Sequence, residues 1–152
     1  TVARTMAQAL GVQCVSVPTL LVVAENAREA DWSSLAVVLD AKEGWVYTEL
    51  FERKEGKISA VGGPTLKPVA QFLAETPRPL LLIGEGLGYH ELSGPGITIG
   101  EKSLWFPTVE NVWRIGRKMA KAGEFTDYRQ ILPIYTRKPE AIRLWEKRHG
   151  NS

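Results

Sequence analysis

The chain has 152 residues, 44% of them hydrophobic and 24% charged, with a formal net charge of +2. This suits one globular domain or two small lobes, and the charge is too weak to imply nucleic acid or a membrane surface by itself. A single cysteine, Cys14, excludes an internal disulfide, no apolar run is as long as a bilayer span, and "TVARTMAQALGV" is no leader peptide, so a reducing, cytoplasmic setting is expected.

Val2, Ala3, Met6, Ala7 and Leu10 recur at helical spacing and Gly11 follows as a stop, which predicts a first helix. "QCVSV" (13–17) predicts a short buried strand, with Cys14 as an inert thiol. Thr19 is positioned to cap a second, mostly buried helix, "LLVVAENA", and polar "READWSS" (28–34) reads as a joint. A new unit opens with the apolar strand "LAVVLD" (35–40). In "WVYTELFER" (45–53) Trp45, Tyr47, Glu49 and Phe51 alternate with Val46, Thr48 and Leu50, and "KEG" (54–56) turns it into "KISAV" (57–61). Gly62-Gly63-Pro64 is expected to end that third strand.

Pro68 then opens a helix, "VAQFLAE", and "PLLLIG" (79–84) is a short buried strand. "EGLGYHEL" is expected to turn into a short helix, and "GITIG" (96–100) reads as a weak strand. "PTVENVWRIGRKMAKAG" (107–123) is the clearest helix. Thr108 caps it, Glu110 and Lys118 with Lys121 suit its two ends, and Val109, Val112, Trp113, Gly116, Met119 and Ala120 form one apolar face. From Leu35 the order is βββαβα, a compact α/β unit with its fourth strand parallel to the first.

Four features bear on chemistry. The turn Asp40-Ala41-Lys42-Glu43-Gly44 pairs an acid with a glycine, as phosphate-handling turns do. Lys42 and Glu43 fill the space such a turn keeps open, so the plainer reading is a hairpin whose Asp40 bonds its own backbone. Gly84, Gly86 and Gly88 follow a strand, where backbone N–H groups can meet a phosphate. Their spacing is not Gly-x-Gly-x-x-Gly and no Walker lysine follows, so a tight turn is the plainer reading. His90 and His149 have no partner at metal-ligand spacing, so no metal site is expected, and no catalytic Ser/His/Asp pattern stands out. The tail carries Arg137, Lys138, Arg143, Lys147 and Arg148 with Tyr135 and Trp145. A solvated amphipathic helix or a docking tail is the plainer reading, ahead of an RNA groove.

Taken together, "MAQALGVQCVSVPTLLVVA", "VVLDAKEGWVYTELFE", "LLIGEGLGYHE" and "ILPIYTRKPEA" resemble, in order along nearly the whole chain, the TsaB (YeaZ-like) family, historically labelled glycoprotease-like or peptidase M22-like. The resemblance implies an actin-like/Hsp70-like ATPase-domain (ASKHA) fold. Residues 1–31 would be the remnant of a largely missing first lobe, 32–123 a complete second lobe and 124–152 a tail. That family's "GPGSFTGLR" signature is expected just before Thr1. The implied function is that of a non-catalytic scaffold supporting a TsaD-like subunit, with a TsaE-like ATPase, in placing threonylcarbamoyl on adenosine beside the anticodon of tRNAs that read A-starting codons. No catalytic residue, metal or cofactor of its own is implied. ATP would bind only within the assembled complex and tRNA only through it, with no membrane. Asp40, Lys42, Glu43, Gly44, Gly84 and Gly86 would then be a vestigial nucleotide site. Val2, Ala3, Met6, Ala7 and Leu10 would contact TsaD or a second copy of the chain. The alternatives are an ATP-binding kinase-like enzyme of the same fold and an M22-type metallopeptidase.

Overall fold

The six residues Leu35–Asp40 form β1 at the centre of a five-stranded mixed sheet of order β3-β2-β1-β4-β5. β1 pairs antiparallel with β2 (Trp45–Lys54) and parallel with β4 (Leu80–Ile83). β2 pairs antiparallel with β3 (Lys57–Pro68), and β4 pairs parallel with β5 (Ile97–Ile99). This computed structural model describes residues 2–132 together with Trp145 and His149. The basic side chains expected of the tail lie outside the described residues.

Both faces of β1 are covered, which is why its sequence is a nearly unbroken apolar run. Leu35, Val37, Tyr47 and Phe51 share one face with Leu20, Val23 and Ala24 of α2 (Thr19–Ala24). Ala36, Val38, Val46 and Leu50 share the other with Phe72 of α3 (Val69–Glu75). The period-two alternation read from β2 therefore sorts its side chains between two cores. Phe72 is fully buried, and burying such a side chain contributes about 1.5–3 kcal/mol. At the β2–β3 turn Glu55 (φ 51°) and Gly56 (φ 71°) are both left-handed, the geometry whose twist matches a two-residue hairpin.

Several expectations are corrected. β3 does not stop at Gly62-Gly63-Pro64 but runs through them to Pro68. Its pairing with β2 jumps from Leu50–Val61 to Thr48–Thr65, so Glu49 alone stands against three residues in a wide bulge. β3 is an edge strand, and an edge tolerates a proline without an N–H. Residues 13–17 form no strand: only the isolated bridge Cys14–Thr126 occurs, and Cys14 is half-buried. Ser16 N also donates to Thr126 Oγ1 at 3.3 Å, and no further ladder pairing with this segment occurs among the described residues. Thr19 does not cap α2; Pro18 precedes it, no side chain caps it, and after Ala24 the chain tightens into a 3-10 turn, Glu25–Ala27. The helix expected after β4 is likewise one 3-10 turn, Glu85–Gly88.

The first helix, α1, spans Val2–Leu10 and the last, α4, spans Val109–Lys121. Thr108 Oγ1 accepts from Asn111 N at 3.3 Å, as its capping position predicts. The apolar face expected of α4 is only partly covered: Gly116, Met119 and Ala120 are half-buried, whereas Val109, Val112 and Trp113 are exposed. Asn111 donates from Nδ2 to Val22 O and to Asn26 Oδ1, and Ile115 is the buried side chain. These contacts with α2 and the turn after it set the rotation of α4 and leave Val109, Val112 and Trp113 outside.

Candidate functional site

β1 and β4 are parallel neighbours, so their carboxyl ends open at the same rim, which is where α/β sheets commonly hold ligands. Asp40 ends β1 and Gly84 follows β4. The structure thus brings together the two turns singled out in the sequence. Lys42 (φ 64°), Glu43 (φ 53°) and Gly44 (φ 76°) are three successive left-handed residues. Two of them carry side chains, for which that conformation costs roughly 1–2 kcal/mol each.

Local bonds offset that cost. Asp40 Oδ1 accepts from Lys42 N at 2.8 Å, closing the side-chain turn that aspartates favour. Ala41 N donates to Trp45 O at 3.0 Å and Val69 N to Gly44 O at 2.9 Å, so the turn is tied to its own hairpin and to α3. The remaining Asp40 oxygen, Oδ2, meets Lys42 Nζ at 2.7 Å, and that ammonium also lies 4.8 Å from the Tyr89 ring centroid. His90 Nε2 donates to Asp40 Oδ1 at 2.9 Å, and Glu85 Oε1 accepts from Asp40 N at 3.0 Å. Burial opposes ionisation of Asp40. The bonds from the Lys42 side chain and N–H and from His90 outweigh it and hold the carboxyl below its ordinary range. The bond to Asp40, in turn, raises the Lys42 ammonium.

The two glycines answer to packing. A Cβ on Gly84, whose φ is 117°, would run into the Val38 carbonyl oxygen and come within 2.8 Å of Val38 N. One on Gly86 would lie 3.0 Å from Val38 O and from Val38 Cγ1. The turn after β4 therefore lies on the β1 backbone, and its glycines admit that approach. A methyl group on Gly88 would meet nothing within 4 Å.

On α1, Val2, Ala3, Met6 and Leu10 are not buried, with Val2 72% exposed and Leu10 65%, while Ala7 is buried. Four of the five residues expected at a partner surface are thus accessible and Ala7 faces inward. Glu85, Tyr89 and His90 were not part of the site read from sequence. They lie some fifty positions beyond Asp40, and the signal that reaches them is the parallel pairing of β1 with β4, which sets the turns after the two strands side by side. A second feature escaped the sequence reading: Glu49 is buried at the bulge, where burial pushes its carboxyl up, and Thr48 Oγ1 beside it has no hydrogen-bond partner. Both line a cavity of about 370 Å³ with Gly62, Gly63, Lys67 and Phe72. Among the described residues no three His, Cys, Asp or Glu side chains converge as a metal site would require, and no helix is long and apolar enough to cross a membrane.

No family model matches the chain. Among curated proteins it is 28% identical over 153 residues to the tRNA threonylcarbamoyladenosine biosynthesis protein TsaB of Bacillus subtilis (strain 168), across 95% of this chain and 65% of that protein. Two solved Pseudomonas aeruginosa structures share its fold. One, an uncharacterized protein with similarity to peptidase YeaZ, has a TM-score of 0.71 at 22% identity over 90% of this chain and 64% of that one. The other, YeaZ itself, has a TM-score of 0.69 at 23% identity over 88% and 64%. The chain spans just under two thirds of the length of each relative.

Proposed function

We propose that this chain, a TsaB (YeaZ-like) family member by its curated relative and its YeaZ-like structural neighbours, acts in the formation of threonylcarbamoyladenosine in tRNA. In this reading it is a non-catalytic subunit that supports a TsaD-like subunit, works with a TsaE-like ATPase in the cytoplasm, and meets tRNA only through the complex. The sheet belongs to the second lobe of an actin-like fold, residues 32–123, and residues 1–31 carry the remnant of the first.

One observation carries the non-catalytic reading. The Lys42 ammonium occupies Asp40 at 2.7 Å, where a nucleotide-hydrolysing turn would leave its carboxylate free for a metal-bound water. The exposed residues Val2, Met6 and Leu10 supply a surface for the partner. Affinity capture on an immobilised TsaD-like subunit tests the proposal. Wild type should be retained, Met6→Asp should be lost, and nucleoside mass spectrometry should find threonylcarbamoyladenosine restored only by wild type in a depleted strain. Failure of wild type to bind refutes it.

The kinase-like reading keeps one point in its favour, an acid at the carboxyl end of a parallel strand. Calorimetric titration with ATP and magnesium separates the two: tight, metal-dependent binding by the chain alone favours the enzyme.

A further inference from the structure

We propose that the cavity at the β2–β3 bulge is a binding site for a small primary amine, whose ammonium group pairs with the Glu49 carboxylate. The cavity, about 370 Å³, is of a size that takes a small ligand, and it is bounded by β2, β3 and α3. Glu49 stands against Gly62, Gly63 and Pro64 across the bulge, and the two glycines bring no side chain to fill the space opposite it. Glu49 is only 8% exposed, yet among the described residues its carboxyl has no hydrogen bond and no ion pair. Burial is what shifts that carboxyl, and no neighbouring cation draws it back down. An acid left in this state is costly, and a fold keeps such a group where it is used.

The surroundings select the ligand. Lys67 is the basic side chain on the cavity wall, and its ammonium is committed to Glu75 at 2.9 Å. The other Glu75 oxygen accepts from Gln71 Nε2 at 2.7 Å. Lys67 and Glu75 therefore cancel, and an ionised Glu49 leaves the wall with an excess negative charge that favours a cation and repels a carboxylate or phosphate. Calcium and magnesium ask for several oxygen ligands, and no three acidic or histidine side chains converge among the described residues, so an organic cation suits the site better than a metal ion. Leu50, Val61, Pro64 and Phe72 supply much of the remaining wall, which fits a short aliphatic chain behind the ammonium. Thr48 Oγ1, buried next to Glu49 without a partner, leaves the same wall short of hydrogen bonds. Of the titratable groups around Glu49, Tyr47 shares its strand, Lys67 lies on β3 and Glu75 on α3, while α2, packed on β2, carries none. The site stands apart from the Asp40 turn and from the α1 residues assigned to the TsaD-like partner.

Proton–nitrogen correlation NMR of the full chain, titrated with butylammonium and read at the Gly62 and Gly63 amides, tests the proposal. Saturable shifts are expected at both. Neither n-butanol, which matches the chain but lacks the charge, nor sodium chloride at equal ionic strength should reproduce them. Glu49→Gln should weaken binding by about tenfold or more, the loss expected when a charged hydrogen bond is removed. That variant is expected to be the more stable protein at neutral pH, so misfolding does not account for the loss. Glu52→Gln, on the same strand but outside the cavity, should bind as wild type does. In acid, wild-type affinity should fall by about tenfold for each pH unit below the raised Glu49 value, as the carboxyl takes up its proton, and Glu49→Gln should show no such fall. Unmoved glycine amides, equal shifts from n-butanol or sodium chloride, undiminished binding by Glu49→Gln, an equal loss in Glu52→Gln, or a wild-type affinity indifferent to acid overturns it.

Discussion

Gly84→Ala is the sharpest probe of the crevice. The residue has φ 117° and ψ 159°, a region essentially reserved for glycine, and holding alanine there costs about 1–3 kcal/mol before any contact is considered. The added methyl would also meet the Val38 carbonyl oxygen, Val38 N at 2.8 Å and Val38 C at 3.0 Å. Val38 is fully buried in the central strand and is held by its pairing with Thr48, so it cannot retreat cheaply. Overpacking of this kind adds about 1–3 kcal/mol, which brings the total to about 2–6 kcal/mol. For a chain of this size each kcal/mol lowers the melting temperature by about 2–4 °C, so a drop on the order of 10 °C is expected. Thermal and urea denaturation measure it, with Gly88→Ala as the control, since that methyl would meet nothing. A Gly84→Ala loss no larger than that of Gly88→Ala would refute the packing account. It would return Gly84 to the role of a backbone kept open for a ligand.

Asp40→Asn should cost about 1–2 kcal/mol, because it removes charge from bonds to Lys42 and His90. The folded carboxyl is held low, so its contribution is present above the unfolded value of about 3.9 and fades as pH falls through the folded one; acid titration of the variant should lack that component. Glu49→Gln has the opposite sign. Burial raises the folded carboxyl, so wild type loses stability as pH climbs from about 4.3 through the folded value, and the variant should gain on the order of 1 kcal/mol at neutral pH and nothing in acid. Asn111→Ala removes the links from the α4 amide to Val22 and Asn26 and should cost about 1–3 kcal/mol in urea melts, by taking the Asn111 donor from Asn26 Oδ1 and from the Val22 carbonyl.

The sheet was readable because its signals are local and repeated. The apolar run at β1, the alternation in β2 and the short run at β4 each report burial directly, and the hairpin order followed from the turn at Glu55-Gly56. The site was half readable. Lys42 filling the Asp40 turn could be inferred from side-chain length alone, but His90 and Glu85 reach Asp40 only through strand pairing. Two errors share a cause. Residues 13–17 have a strand's composition but form only a single bridge, and the first half of the expected α4 face stays exposed where two amide hydrogen bonds from Asn111 orient the helix. In both places a partner decided the outcome, and composition does not reveal the partner.

The two edges of the sheet differ in form but share a consequence for how the molecule meets its own kind in a crowded solution. β5 offers only three residues, and β3 is interrupted by Gly62-Gly63-Pro64, whose bulge breaks the ladder and whose proline has no N–H to offer. Neither edge is a continuous template for a strand from another molecule, so endless strand-by-strand stacking into fibrils is discouraged at both ends. The helices and loops around the sheet, not its edges, are left as the surfaces open to a partner.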